Sequence, residues 1–479
     1  MDPFDRVKLK SFIAPDGSNR DYAQECFRKI VSQLLDKLCT SEKRPLLPQN
    51  LGYQFGQDII LEEPQRLDKI LGKISELIDN SMNPYHPKYA GHMDSMPTLF
   101  SILGEMLASA LNNNLFSLEM SPFLTQLEYK LVKEFCALFG LPENSGGVIL
   151  SGGSLTNLQA LVVARNFCLK NNNGAIGKTQ FVIFCSEHAH VSIQKAAMVM
   201  GIGADHVTKI SADANGHLDV DDLRVKIKRA VHNRWKPMAI VATAGTTVTG
   251  NIDPIDQIAK VAMEFNIWLH VDAIWGGGLI FSSHKRGLLR GIELANSITF
   301  NPQKWMAVAK TCSLLMFRDN SYLEDYFRIR KTYVKEHNIV TDLSETGISG
   351  TKRGDVLKLW LSIESMGMTG YRYYIDHTLS LTSFFVEKVK RKSYLKLATE
   401  PETAVICMRG EPDHLEPKLF DKWNEGLQDF LLKRRNTFFS LPKYKGENWQ
   451  RVILLNPFLT RNHIDEIFTA IDGYHSIKK

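Results

Sequence analysis

Cysteine is scarce in this sequence and shows no pairing pattern. Cys26, Cys39, Cys136, Cys168, Cys185, Cys312 and Cys407 are spread over 479 residues, with no CxxC. An odd, scattered set speaks against a disulfide framework or a zinc ribbon, and predicts reduced thiols in a cytoplasmic protein. Long apolar runs are missing too. None approaches the roughly 18 residues of a membrane helix, so no membrane association is expected. The opening MDPFDRVKLK lacks the apolar core of a signal peptide. Blocks of like charge are absent: net charge is only +6 and the basic residues are scattered, so nucleic acid is not an expected partner. The 14 histidines form no metal-spaced pattern, so no metal is expected. Neither GxGxxG nor GK[ST] marks a nucleotide site, and there is no internal repeat or low-complexity tract.

What is present is an ordinary globular composition, 44% hydrophobic and 23% charged, in a chain long enough for about two to four domains. Residues 20–80 carry apolar residues at helical spacing: Cys26, Ile30, Leu34, Leu35 and Leu38, then Ile70, Ile74 and Ile78. Two amphipathic helices there need a surface to cover, either their own domain or a partner subunit. Residues 83–97, NPYHPKYAGHMDSMP, read as a loop, followed by helices over about Thr98–Leu111 and Pro122–Phe139. From residue 146 short apolar strands alternate with amphipathic helices. That pattern predicts an α/β fold with a parallel-rich sheet covered on both faces. A long hydrophilic stretch, RIRKTYVKEHNIVTDLSETGISGTKRG, reads as an active-site loop. A helix over Asp355–Met366, another after Gly370, and strands near 404–408 and 450–455 predict a small α/β unit. The expected divisions are 1–82, an N-terminal helical dimerisation segment; 83–345, a large cofactor-binding domain; and 346–479, a small C-terminal domain.

The chemistry concentrates at strand ends. In such sheets ligands sit beyond the carboxyl ends of the strands, and His190, Thr246, Thr247, Asp272 and Lys304 all fall there. The Ser151-Gly152-Gly153-Ser154 turn joins an apolar strand to a helix. Its glycines let backbone N–H groups approach an anion at the helix N-terminus, and Ser151, Ser154 and Asn157 add side-chain donors. Many strand–helix turns use Ser and Gly only as caps, so this turn alone decides nothing. Lys304 lies in ITFNPQKWMAVAKTCSLLMF, in a turn between two apolar segments. A lysine in a turn is most often simply solvated. A partly desolvated one has a lowered pKa and is a nucleophile towards aldehydes. With an anion cradle and a strand-end carboxylate, Asp272, the set meets the needs of pyridoxal phosphate chemistry: an imine lysine, a phosphate site and a carboxylate that keeps the pyridine nitrogen protonated.

These stretches also carry a resemblance. From about Pro84 to its C-terminus the chain is similar to the group II pyridoxal phosphate-dependent amino acid decarboxylases, which act on glutamate, cysteine sulfinate, aromatic amino acids or diaminobutyrate. HPKYAGHM resembles the family's substrate-side loop and SGGSLTN its phosphate loop. SEHAHVSIQKAA resembles the segment with the ring-stacking histidine, here His190. ATAGTTVTGNIDPI and HVDAIWGGG resemble the segments that carry Thr247, Asp272 and Ala273, the last lying against the ring. NPQKW resembles the imine-lysine segment, with Asn301, Gln303 and Lys304 at the cofactor. The resemblance further implies a fold type I homodimer, Tyr333 as the proton donor 29 residues after Lys304, and Arg451 in NWQRVILLNP as the grip on the substrate α-carboxylate. Three positions depart from the pattern: Gln303 stands where most relatives have histidine, Val191 replaces the usual aromatic, and His92 replaces the glutamine of acidic-substrate relatives. The implied reaction is decarboxylation of an amino acid, acidic or small and polar by preference, with diaminobutyrate or aromatic substrates as alternatives. Rival readings are a transaminase or aldehyde synthase on the same fold, and a catalytically silent binding subunit.

Overall fold

The structure, a computed structural model, describes residues 8–48, 52–55, 59–94, 96–170, 179–331 and 339–478. Its centre is a seven-stranded sheet of β1 (Gly146–Leu150), β2 (Phe181–Ser186), β3 (Val207–Ile210), β4 (Lys236–Thr243), β5 (Trp268–Asp272), β6 (Ser297–Phe300) and β7 (Ser313–Phe317), in the order β1-β7-β6-β5-β4-β2-β3. The pairs from β6 through β5, β4 and β2 to β3 are parallel. Only β7 runs against its neighbours β1 and β6. Strands β2, β5, β6 and β7 are buried at every position, the signature of a sheet covered on both faces. The sequence reading did not anticipate β3. It is a four-residue edge strand whose Thr208 and Lys209 stay partly exposed, so it lacks the apolar run of its neighbours.

Helices α1 (Arg20–Leu38) and α2 (Leu67–Asp79) come first, and neither contains a buried residue. α3 (Leu99–Leu111) starts at Thr98, whose hydroxyl accepts the Ser101 N–H. It stops at Asn112 in the left-handed conformation, the residue type that tolerates that state next best to glycine. After α4 (Pro122–Leu138), helix α5 (Gly153–Lys170) crosses β1 and β4 to β7. α6 (Ser192–Val199), α7 (Val220–His232) and α8 (Ile255–Glu264) complete the crossovers. α9 (Val356–Lys390) is broken at Gly367, with φ 57° and ψ 175°. The sequence led us to expect two helices with the gap at this point, and glycine supplies the backbone conformation the break needs.

A second, antiparallel sheet, β8 (Leu395–Leu397), β9 (Val405–Gly410) and β10 (Gln450–Ile453), packs under α10 (Phe420–Arg435) and α11 (Arg461–Ile477) with its own apolar core. The HPKYAGHM loop is stitched to this sheet. Ala90 N–H donates to Phe438 O at 3.0 Å, and Ile453 N–H donates to Ala90 O at 2.8 Å. Gly91 has no alternative here, because a Cβ would lie 2.3 Å from the Phe438 ring. This stitching brings residue 92 beside residue 451, more than 350 positions away in the chain. Among the described residues no helix is long and apolar enough to cross a membrane.

Candidate active site

The carboxyl ends of β1, β2, β4, β5 and β6 open onto one cavity of about 300 Å³. Its wall includes Met93, Ser151, Gly152, Gly153, Ser154, His190, Thr243, Thr247, Asp272, Ile274, Trp275, Asn301, Gln303 and Lys304. Apart from Met93, which the 83–97 loop supplies, each comes from the carboxyl end of a strand or the segment that follows it. The turn after β6 is closed by Lys304 N–H to Asn301 O at 3.1 Å and Val308 N–H to Pro302 O at 3.1 Å. Trp305, fully buried, stacks on Trp275 with ring centroids 4.8 Å apart and donates to Thr378 at 3.0 Å. That stack locks the loop after β6 to the loop after β5, and so sets Lys304 against Asp272.

Burial lowers the pKa of Lys304, while Asp272 and Asp94 partly oppose the shift. The amine therefore gives up its proton more readily than a surface lysine, as a nucleophile must. At the other end of the cavity, α5 begins at Gly153, and its first N–H groups face outward for want of a preceding turn. A Cβ on Gly153 would fall 2.3 Å from Ile274 Cδ1, so only glycine allows the cradle to close against that wall. Gln303 accepts the Cys312 N–H through Oε1 at 2.6 Å. With its oxygen held, the amide has its N–H₂ left as a neutral donor.

The carboxylate is held from behind. Asn157 Nδ2 donates to Asp272 Oδ2 at 2.9 Å and to Ser192 Oγ at 3.0 Å, and Asn157 Oδ1 meets His270 Nε2 at 3.0 Å. This corrects the expectation for Asn157. Both its N–H donors are spent on Asp272 and Ser192, so none is left for a phosphate, and its side chain is fully buried. Ala273 is corrected too. It is fully buried behind the wall, and Ile274 and Trp275 line the cavity instead. His190 Nδ1 accepts the Ser192 N–H at 3.2 Å, which leaves the ring proton of the neutral form on Nε2. Desolvation holds the His190 pKa below its ordinary value.

Arg451 and His92 lie together behind Thr247. Arg451 donates to Ser440 Oγ at 2.9 Å, Thr247 O at 2.8 Å, Gly91 O at 3.2 Å and His92 Nδ1 at 3.3 Å. Four contacts leave the guanidinium one of its five N–H groups, and in this arrangement it clamps the 83–97 loop to the turn after β4. Tyr333 lies outside the described residues. The sequence reading missed His270, Ser192, Met93, Ile274 and Trp275. His270 had a signal: it stands two residues before Asp272 on one strand, and so on the same face.

Burial pushes the pKa of His270 down to about 4 from 6.5. Between those values the unfolded chain binds the proton and the folded one does not, so stability rises with pH across that window. The contribution is fully present above about 6.5 and is lost as pH falls towards 4. His86, also lowered to about 4 by burial, adds to the same slope. Urea midpoints are expected to fall between pH 7 and 4.5, and less steeply in His270→Gln. An equal slope in that variant would remove His270 as a source.

The donor set fits pyridoxal phosphate: a desolvated amine, a buried carboxylate, an imidazole in the wall, a glycine cradle, and Asn301 and Thr243, which line the cavity and whose Oδ1 and Oγ1 are buried with no hydrogen-bond partner among the described residues. The family model for the pyridoxal-dependent decarboxylase conserved domain matches residues 49–411. Mouse CSAD is 26% identical with TM-score 0.88, over 95% of this chain and 98% of that one. The glutamate decarboxylase domain of a diaminobutyrate-pyruvate transaminase and L-2,4-diaminobutyrate decarboxylase from Vibrio parahaemolyticus is 24% identical with TM-score 0.86, over 98% and 99%. Oryza sativa TDC, solved with PLP and tryptamine, has TM-score 0.91 at 22% identity, over 98% and 100%. At those last two identities the likeness is one of fold. The chain belongs to the pyridoxal-dependent decarboxylase family, and is a pyridoxal phosphate-dependent carboxy-lyase of the group II amino acid decarboxylases.

Proposed function

We propose that the chain decarboxylates an acidic or small polar L-amino acid, such as glutamate, aspartate or cysteine sulfinate, to the corresponding amine. The observation that carries the reading is the cavity, whose described wall encloses about 300 Å³, a size that suits the cofactor with a small amino acid beside it. Arg451 holds a permanent charge behind the Thr247 wall, and in this reading it is the grip for the α-carboxylate that every amino acid substrate carries.

Pyridoxal phosphate, when bound, supplies the electron sink for the pair left by the broken Cα–carboxylate bond. In this reading Ser151, Gly152, Gly153, Ser154 and Gln303 hold its phosphate by neutral hydrogen bonds, and Asn301 lines the same wall. Asp272 would keep the proton on the pyridine nitrogen, with His190 and Thr247 as the residues beside the ring. Lys304 would be the amine that holds the cofactor's aldehyde, and Tyr333 the residue that supplies a proton to Cα.

The same proposal includes a cytoplasmic homodimer. None of the seven cysteines is joined in a disulfide. Helices α1 and α2 leave Tyr22, Phe27, Val31, Leu35, Ile70 and Leu77 exposed, and Leu99, Phe100, Leu111 and Phe123 are exposed on α3 and α4. Apolar helix faces of this extent fit burial against a second copy.

The test is a panel of L-amino acids supplied to the holoenzyme, with CO2 and amine measured. Glutamate, aspartate or cysteine sulfinate is expected to give both in equal amounts. Turnover of tryptophan or diaminobutyrate alone would overturn the substrate reading. Aldehyde or keto acid in place of amine would overturn the reaction type. Light scattering is expected to return twice the chain mass.

A further inference from the structure

A line of buried side chains runs from the back of the sheet to Asp272. Trp268 Nε1 lies 2.9 Å from Ser297 Oγ, and Ser297 Oγ lies 2.8 Å from His270 Nδ1. His270 Nε2 lies 3.0 Å from Asn157 Oδ1, and Asn157 Nδ2 lies 2.9 Å from Asp272 Oδ2. Trp268, Ser297, His270, Asn157 and Asp272 are each no more than 4% exposed.

The carboxylate end settles the direction of the bonds, because a carboxylate only accepts. Asn157 must turn its N–H₂ towards Asp272, and its Oδ1 then accepts from His270 Nε2–H. In the neutral imidazole Nδ1 is left as an acceptor, so Ser297, which accepts from the indole N–H of Trp268, passes its own proton there. With the imidazole neutral, the links between His270 and Asp272 cannot be reversed without setting acceptor against acceptor. A chain aligned in this way polarises each bond in the same sense and delivers partial positive charge to the carboxylate.

We propose that His270, Ser297 and Trp268 act through Asn157 as positioning residues, holding Asp272 as an oriented carboxylate for the cofactor's ring nitrogen. Asn157 is the branch point, because its second N–H reaches Ser192, whose N–H holds His190 Nδ1. One buried amide thus ties the group that faces the ring nitrogen to the group that packs on the ring. The proposal rests on the cofactor assignment and not on the identity of the amino acid substrate.

The test compares His270→Leu, which removes both bonds, with His270→Gln, which keeps an N–H near the Nε2 position. The readouts are the dissociation constant for pyridoxal phosphate, by absorbance titration of the apoprotein, and the pH at which the visible band of the holoenzyme titrates. In His270→Leu the dissociation constant is expected to rise by about tenfold or more, the size seen when an outer hydrogen-bond partner of a buried ligand group is lost, and the band's titration to shift. In His270→Gln both are expected to return most of the way to wild type. Ser297→Ala, a smaller change, carries the test if His270→Leu does not fold, with a rise of about threefold expected since only one link is lost. A folded His270→Leu or Ser297→Ala that loses thermal stability while both cofactor readouts stay at wild type would overturn the proposal. A wild-type protein with no visible band would overturn the cofactor assignment instead, and the role of the chain with it.

Discussion

Lys304→Ala is expected to abolish the visible absorption band of the holoenzyme and to lower turnover by roughly 10,000-fold or more, the range for loss of a group that makes a covalent bond. The side chain has no substitute. Among the described residues it is the only lysine in the cavity wall, and burial has already lowered its pKa towards the nucleophilic form. The turn that carries it is closed through backbone groups of Asn301, Pro302 and Val308 and anchored by the Trp305–Trp275 stack. Alanine should therefore leave the fold and the phosphate cradle intact. The variant is expected to bind pyridoxal phosphate reversibly, without the colour change of covalent attachment. Lys304→Arg is the control, since it restores charge but not the nucleophile, and it should be as inactive as alanine. A band retained in Lys304→Ala would place the anchor on another amine.

Lys352→Met is expected to destabilise the protein by about 3–5 kcal/mol, the cost of stripping one partner from a buried ion pair. Lys352 Nζ pairs with Glu128 Oε1, and their side chains are 8% and 1% exposed. Glu128 Oε1 also accepts the Ile149 N–H at 2.8 Å, so the pair pins helix α4 to strand β1. Burial raises the pKa of Glu128 and lowers that of Lys352, each shift opposed by the other charge. Without the lysine, the carboxylate stays buried with no counter-charge or must take up a proton. The double variant Lys352→Met with Glu128→Gln removes both charges yet keeps an acceptor for Ile149, and is expected to recover most of the loss. Urea unfolding followed by circular dichroism measures both. A Lys352→Met protein within about 0.5 kcal/mol of wild type would mean the pair is dispensable. β1 runs straight into Ser151–Ser154, so weaker cofactor binding should accompany the loss of stability.

Local chemistry made much of this site legible in advance. Lys304, Asp272, His190 and the Ser151–Ser154 turn each sit in a short stretch whose residue types announce a strand end, a helix start or a turn. The structure brings them to one cavity as that pattern implied. The gap in α9 was legible for the same reason, since Gly367 can adopt a backbone that other residues rarely do. Asn157 was misjudged because its neighbours in sequence are phosphate-loop residues. Its position on α5 turns it inward, towards β5, and that turn is a property of how the helix crosses the sheet. Ala273 was misjudged in the same way, by one residue of register after the strand.

The sequence by itself determined the alternation of strand and helix, the strand-end placement of the reactive groups and the family to which they belong, because these depend on residues close together in the chain. The tertiary structure alone decided which side chains stand behind them. The clamp of Arg451 on the 83–97 loop, the pairing of Lys352 with Glu128, and the chain from Trp268 to Asp272 each join residues tens to hundreds of positions apart. Their energies come from burial and from fixed donor–acceptor direction, and neither exists until the segments are packed together.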